Sequence, residues 1–348
     1  MTYSLSTEAY LNILRAAGEA TRLRLLVLFQ GGELNVKDLT QILGQSQPRI
    51  SRHLKILLDA ELIERFQEGS WVYFRLVENN KTGGTIRKLL AEIDFDDPIL
   101  VRDQMKAKAV KTARAEAAQS YFRNHAADWD KIRSLHVSEA AVEKAMMEML
   151  GSGPFDVFVD LGTGTGRVLE LFAKNIDRGI GVDINHDMLS YARSNLEKEG
   201  LNHCQVRFGD LFHLSFNNNT ADVVVLHQVL HFLSDPSGAL LEACRILKPG
   251  GKLLIVDFAA HDLEFLREQY AHQRLGFDQG HVKKLIQTYG LSLTKQINLT
   301  PNLNQQTHQL TVALWLASKP KTQPHSIVNN ESQNEPYTQE MVRSMTSC

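Results

Sequence analysis

The sequence predicts two domains in series: a small α+β domain of short helices and a hairpin, then an α/β domain with a mostly parallel, doubly wound sheet. Short helical patterns followed by an alternating apolar stretch fill residues 1–80. Apolar runs that alternate with helical patterns fill residues 151–318. A chain of 348 residues also favours two domains, at roughly 150 residues each.

The composition excludes several classes of protein. Hydrophobic residues make up 43% of the chain, which suffices for sizeable cores and excludes global disorder. A formal net charge of −2 argues against bulk coating of nucleic acid, although it permits a local basic patch. The start of the chain lacks the apolar core of a signal peptide, and no apolar run approaches the ~20 residues of a membrane span. Three widely spaced cysteines predict a reducing cytoplasm and no metal site.

Four regions are predicted along the chain. The two domains occupy residues 1–80 and 151–318, and a polar helical segment of residues 81–150 joins them. The tail 319–348 is rich in Asn, Gln, Ser, Thr and Pro without periodicity, so we expect it to be disordered. Helices over 5–17 and 83–95 are candidate dimerisation elements.

Three helical patterns precede the hairpin, over residues 20–30, 36–43 and 47–57. Gly44 stops the second helix, while Ser46 and Pro48 suit the start of the third. The third helix carries a set of polar residues off its apolar stripe: Gln47, Arg49, Ser51, Arg52, His53 and Lys55. Its three permanent positive charges, with no acid on the helix segment that bears them, suit the major groove of DNA.

Strand patterns over 62–66 and 71–76 flank a turn that contains Gly69, which predicts a hairpin, or wing, after the helices. Arg65 or Arg75 on this wing could reach the DNA backbone or the minor groove. A small interaction module with a solvated basic helix stays open as the alternative, because acids and bases are equal in number over residues 1–80.

The run 20–76, especially ATRLRLL, SQPRISRHLKIL and the wing, resembles the ArsR-type winged-helix repressors. The resemblance implies a homodimer that binds double-stranded promoter DNA and leaves it when a ligand binds. Metal-sensing members carry two cysteines in a segment where this chain has Asn35 and Lys37. Because a protonated lysine cannot ligate a metal, we do not expect soft-metal sensing there.

The second domain begins with a strand, a glycine turn and a helix, over residues 155–175. Missing side chains at Gly162, Gly164 and Gly166 let a ligand approach the backbone, although such a turn can also be an ordinary one. Asp183 and Asp210 end two further strands, as expected of a Rossmann-like nucleotide site. An acid just before the turn, Asp160, repels a pyrophosphate but tolerates a cationic methionine group, which favours S-adenosylmethionine over NAD.

Residues 120–318 resemble the class I S-adenosylmethionine-dependent methyltransferases through VDLGTGTG, GVDI, GDL, ADVVVLHQVLHF and RILKPGGKLLIVDF. The resemblance implies a seven-stranded, mostly parallel sheet closed by an antiparallel strand, with residues 291–299 and 310–317 as the closing pair. It also implies the donor-binding residues: Asp160, Gly162 and Gly164 on the methionine side, Gly166 closing the turn, Asp183 at the ribose hydroxyls, Ile184 beside the adenine, Asp210 and Leu211 at the adenine, and His227 at the floor. S-Adenosylhomocysteine would be the product.

Candidate general bases are His227, His231 and His261, each of which could instead be a capping or core residue. The aromatic segment 121–130 resembles the amphipathic cap of small-molecule methyltransferases, or packs its rings on the sheet. A small-molecule acceptor is favoured, because the sequence lacks the tetrad typical of DNA-base methylation and the several thiols that arsenite would need.

Two functional hypotheses follow. In the first, the chain is a transcriptional regulator that couples promoter binding to S-adenosylmethionine, to S-adenosylhomocysteine or to methylation of a small molecule. In the second, it is a working small-molecule methyltransferase whose winged helix serves dimerisation or autoregulation.

Overall fold

The structure is a computed structural model that describes residues 5–68, 71–77, 81–125, 139–300 and 310–321. The predicted hairpin tip at 69–70, the later part of the predicted cap and the predicted tail from 322 onward lie outside the described residues. Among the residues that are described, no helix is long and apolar enough to cross a membrane.

The N-terminal domain begins with four helices: α1 (Thr7–Ala17), α2 (Ala20–Gln30), α3 (Val36–Leu43) and α4 (Gln47–Asp59). A capping box starts α3, because the side chains of Asn35 and Asp38 each accept the other residue's backbone N–H. Gly44, at a φ of +64°, ends it. Ser46 takes the N-cap position of α4 without a side-chain capping bond, and Pro48 lies in the first turn.

A three-stranded antiparallel sheet completes the winged helix: β1 (Leu34–Asn35), β2 (Ile63–Glu68) and β3 (Trp71–Leu76), in the order β1-β3-β2. Phe74 and Leu76 of β3 are buried in the core of this domain. Side chains alternate along a strand, so Trp71, Tyr73 and Arg75 lie on the opposite face.

The core of the N-terminal domain continues past residue 80. Ile86 of α5 (Lys81–Ala91) and Leu100 of α6 (Pro98–His125) belong to it. Arg24 binds Asp103 of α6 with both ends of its guanidinium, at 2.5 and 2.8 Å. The helix α7 (Glu139–Leu150) instead buries Met146 in the second domain. The described part of the predicted linker is therefore divided between the two cores.

The second domain is built on a seven-stranded sheet: β4 (Phe155–Leu161), β5 (Ile176–Asp183), β6 (Cys204–Phe208), β7 (Ala221–His227), β8 (Leu247–Phe258), β9 (Ser292–Leu299) and β10 (Val312–Ser318). The order is β6-β5-β4-β7-β8-β10-β9, and in this sheet β10 alone runs opposite to the other six strands. The predicted Rossmann-like fold with an antiparallel closing strand is confirmed.

Helices cover both faces of this sheet: α8 (Arg167–Phe172), α9 (His186–Lys198), α10 (Pro236–Ile246), α11 (Phe265–Gln269) and α12 (Gln279–Thr288), together with α7. Two buried clusters result, one on each face, which explains the continuous apolar runs of the central strands. Because β4 pairs with β5 on one side and β7 on the other, the strand order reverses there, and a crevice opens at the carboxyl ends of these strands.

Candidate functional site

A cleft lies in this crevice. Its volume is about 1080 Å³ when the solvent space at its open mouth is included. It is lined by eight of the predicted donor-binding residues: Asp160, Gly162, Gly164, Asp183, Ile184, Asp210, Leu211 and His227. The ninth, Gly166, lies behind the turn as the N-cap of α8, where an added Cβ would come within 3.3 Å of the Cβ of Ala192. Its role is therefore to let two helices approach, and it does not line the cleft.

The glycine turn is held by hydrogen bonds to the strands on either side. The N–H groups of Gly162 and Thr163 donate to the carbonyl of Val182, and the Thr163 hydroxyl donates to Asp160 at 2.7 Å. Gly162 and Gly164 have φ values of +75° and +54°, in the left-handed region that favours glycine. The turn is thus a rigid wall with backbone exposed to the cleft.

Asp183 ends β5 and joins the turn to the next helix. Its carboxylate accepts the backbone N–H of Gly164 at 2.9 Å and of Asn185 at 2.8 Å. Burial raises the pKa of Asp183, although these two hydrogen bonds oppose the rise. The result is a fixed acceptor group in the wall of the cleft.

The three candidate histidines separate in the structure. His227 lines the cleft. His231 is buried behind it, with its Nδ1 2.7 Å from Oδ1 of Asp257. Nδ1 of His261 accepts the N–H of Leu263 at 3.2 Å in a local turn. Neither His231 nor His261 is among the residues that line the cleft.

The end of α6 covers one side of the cleft with Phe122, whose ring lies 4.7 Å from that of Phe232, edge to face. Next to it, burial raises the pKa of Tyr121 to about 12. This is the described part of the predicted aromatic cap. Gln273, from the segment after α11, also lines the cleft, and none of the donor-binding motifs contains it.

Five of the six predicted DNA-contacting residues of α4 are exposed: Gln47, Arg49, Ser51, Arg52 and Lys55. His53 is half-buried, 3.4 Å from Oε2 of Glu19, and burial lowers its pKa.

Arg75 lies elsewhere, between the wing and the second domain. Its guanidinium donates to Glu64 at 2.6 Å and to Glu33 at 3.0 Å, and lies 2.7 Å from Nδ1 of His281 in α12. Arg274 binds the same Glu33 at 2.7 Å. In this arrangement Arg75 is an interdomain contact and does not share the exposed surface of α4, which differs from its predicted place at DNA.

Sequence reasoning missed these contacts across the two domains. Phe66, Tyr73 and Trp71 form a row of stacked rings on the outer face of the wing. The guanidinium groups of Arg274 and Arg267 lie 4.6 and 4.8 Å from the rings of Tyr73 and Trp71. One signal was present: both faces of the strand 71–76 carry large apolar or aromatic side chains, which indicates that both are covered.

The comparisons with known proteins agree with this division. Residues 19–65 match the family model of the bacterial regulatory proteins of the arsR family, and residues 159–255 match that of a methyltransferase domain. An uncharacterised methyltransferase of Schizosaccharomyces pombe is 39% identical over 104 residues, which are 28% of this chain and 37% of that protein. The ubiquinone/menaquinone biosynthesis C-methyltransferase UbiE of Teredinibacter turnerae is 31% identical over 163 residues, or 45% of this chain and 66% of that protein.

Solved structures support the fold of the second domain. The methyltransferase in complex with the Haloferax volcanii Trm112 activator aligns with a TM-score of 0.51 at 22% identity, over 60% of this chain and 100% of that one. The methyltransferase match confirms the predicted cofactor, S-adenosylmethionine. The chain therefore joins an ArsR-family helix-turn-helix region to a class I methyltransferase domain.

Proposed function

We propose that the chain is a DNA-binding transcriptional regulator whose second domain binds S-adenosylmethionine in the cleft. The observation that carries the proposal is that residues from separate motifs, on four different strand ends, line one cavity. If the turn bound no ligand, its shape would still require the glycines. It would not require Asp183 at the end of β5 or Asp210 after β6. The three widely spaced cysteines support a reducing cytoplasm as the compartment.

The residues present fit the cofactor. An added Cβ at Gly162 would lie 2.4 Å from Cγ2 of Val229, so the turn has no room for a side chain there. The free lone pairs of Asp183 suit ribose hydroxyls. Asp160 would hold the positively charged methionine part of the cofactor by its negative charge, and Asp210 with Leu211 would hold the adenine. When bound, S-adenosylmethionine supplies a methyl group that its positively charged sulfur activates.

The exposed basic surface of α4 supports the DNA-binding half of the proposal. Replacing Arg49 and Arg52 together by Ala should weaken binding to the protein's own promoter at least about tenfold, because contacts to phosphate and guanine are lost. Fluorescence anisotropy measures the DNA affinity, and calorimetry with S-adenosylhomocysteine should give an unchanged donor affinity. Lys198→Ala removes an exposed charge from the other domain and is the control. Unchanged DNA binding by the double variant would reject α4 as the recognition helix.

A second candidate function is catalysis on a small molecule, with the winged helix serving dimerisation or autoregulation. It is favoured by the extent of the cleft, which continues past the donor motifs to Phe122, Phe232 and Gln273. His227 is the candidate base with access to this space, and we propose no catalytic contact for His231 or His261.

A homodimer is part of the same proposal. Tyr10, Leu11 and Leu14 of α1 are 43%, 42% and 42% exposed, so α1 presents three large apolar side chains to solvent that a second copy could cover. Light scattering on the full chain measures the mass directly, and a monomer at micromolar concentration would reject this part.

A further inference from the structure

A second cavity of about 920 Å³, measured to its mouth, lies beside the donor cleft, between the wing and the segment 267–274. The two cavities share Ala118, Ser234 and Gln273 in their walls, so they adjoin. The far wall comes from the N-terminal domain, through Trp71 and Tyr73 of β3. The second cavity is therefore complete only because the wing packs against the methyltransferase domain.

Gln273 lies at the boundary between the two cavities, and the surroundings of its side-chain amide are unusual. Its side-chain nitrogen and oxygen are both buried, and neither has a hydrogen-bond partner among the residues that the structure describes. Its backbone is fixed, since its N–H donates to the carbonyl of His231 at 2.9 Å and its own carbonyl accepts from Arg267. Because an unsatisfied buried amide is costly, a rigidly held one between two cavities points to a polar ligand group.

The rest of the wall indicates what that ligand is. The rings of Trp71 and Tyr73 lie 6.3 Å apart, with the guanidinium groups of Arg267 and Arg274 against them; Tyr73 is buried, and Trp71 is partly exposed. Lys111, Arg267 and Arg274 also line the cavity, against Glu33 and Glu268. Arg274 and Glu33 bind each other at 2.7 Å, and Arg267 lies 3.4 Å from Glu264, so the charges of both arginines are already balanced. The partly exposed, flat ring of Trp71 suits a planar aromatic molecule.

We propose that the methyl acceptor binds in this second cavity as a planar aromatic molecule that bears a hydroxyl group, and that the wing supplies part of its site. The amide of Gln273 meets the polar group nearest the donor. The acceptor oxygen forms a bond to the methyl carbon while the methyl–sulfur bond breaks, the electron pair stays on sulfur, and the hydroxyl proton goes to solvent. The inference rests on the proposed donor site.

The test uses the full chain saturated with S-adenosylhomocysteine and three probes: 4-hydroxybenzoate, caffeate and 5-hydroxyindole-2-carboxylate. Calorimetry should detect binding of at least one probe. Trp71→Leu and Gln273→Met should each weaken it at least about tenfold, through loss of ring contact and of the amide hydrogen bonds. Tyr191→Leu and Gln104→Met change exposed residues of α9 and α6 and should leave probe binding unaltered.

A second readout is the product: with S-adenosylmethionine, the bound probe should gain one methyl group by mass spectrometry, and Trp71→Leu should slow this while donor affinity stays within about twofold. Binding by none of the probes, or binding indifferent to both variants, would overturn the inference. If the unmodified chain fails to bind S-adenosylhomocysteine, the proposed function itself is wrong, and this inference falls with it.

Discussion

Asp183 ends β5, and its carboxylate accepts hydrogen bonds from the glycine turn and from the start of α9. One carboxylate therefore links the strand, the turn and the helix of the donor site. Asp183→Asn keeps the shape but turns one acceptor oxygen into a donor. We expect the affinity for S-adenosylhomocysteine to fall by about 1.5–3 kcal/mol, the usual worth of a hydrogen bond to a charged group. Calorimetry measures it, with Asp187→Asn, an exposed carboxylate of α9, as the control. An equal loss in the control would contradict the assignment.

Gly162 is required for two separable reasons, its positive φ and the closeness of Val229. Gly200 has a similar φ of +68°, but nothing lies within 4 Å of where its Cβ would be. Gly200→Ala should therefore cost only the backbone strain, about 1 kcal/mol. Gly162→Ala adds the steric clash, so it should cost at least about 1–3 kcal/mol more and abolish donor binding. Urea unfolding compares the two, and equal costs would show that Val229 moves aside freely.

At the scale of elements, the contact between the wing and α12 should be sensitive to pH. Burial, with the charges of Arg75 and Arg274, lowers the pKa of His281 to about 4, against the attraction of Glu33 and Glu64. The unfolded chain takes up this proton near 6.5 and the folded chain does not, so the unfolded state binds more protons between pH 6.5 and 4. Stability should fall as pH drops through that window.

The variant His281→Asn isolates this contribution. It has no proton to gain, so the loss of unfolding free energy between pH 7 and pH 5 should shrink by on the order of 1 kcal/mol. Urea unfolding at the two pH values measures the difference. An unchanged pH dependence would mean that His281 does not lie buried against Arg75 in solution.

The elements that sequence predicts well are those whose pattern is local. Helical spacing and glycine stops locate α2, α3 and α4 within a few residues, and the donor motifs identify eight residues that line one cleft. Arg75 and Gln273 differ, because their environment depends on how two domains pack. Strand alternation shows which face Arg75 occupies, but nothing along the chain says what covers that face.

At the scale of the whole molecule, a short segment connects the donor cleft to the wing. The N–H groups of Gln273 and Arg274 donate to the carbonyl of His231 at 2.9 and 3.0 Å, beside the cleft. Arg274 then binds Glu33, which also holds Arg75 of the wing. A ligand that shifts this segment must therefore act on the wing as well. A coupling free energy of about 1–3 kcal/mol, typical of allosteric proteins, would change DNA affinity about 5–150-fold.

The most direct test of this account is the affinity of the full chain for a fragment of its own promoter, measured with and without saturating S-adenosylmethionine or S-adenosylhomocysteine. We expect at least one of the two ligands to shift the dissociation constant several-fold, and Gly162→Ala to remove the shift. Calorimetry first establishes that the protein binds both ligands. Tight promoter binding that neither ligand changes would then contradict the proposed coupling and leave the winged helix without a link to the donor site.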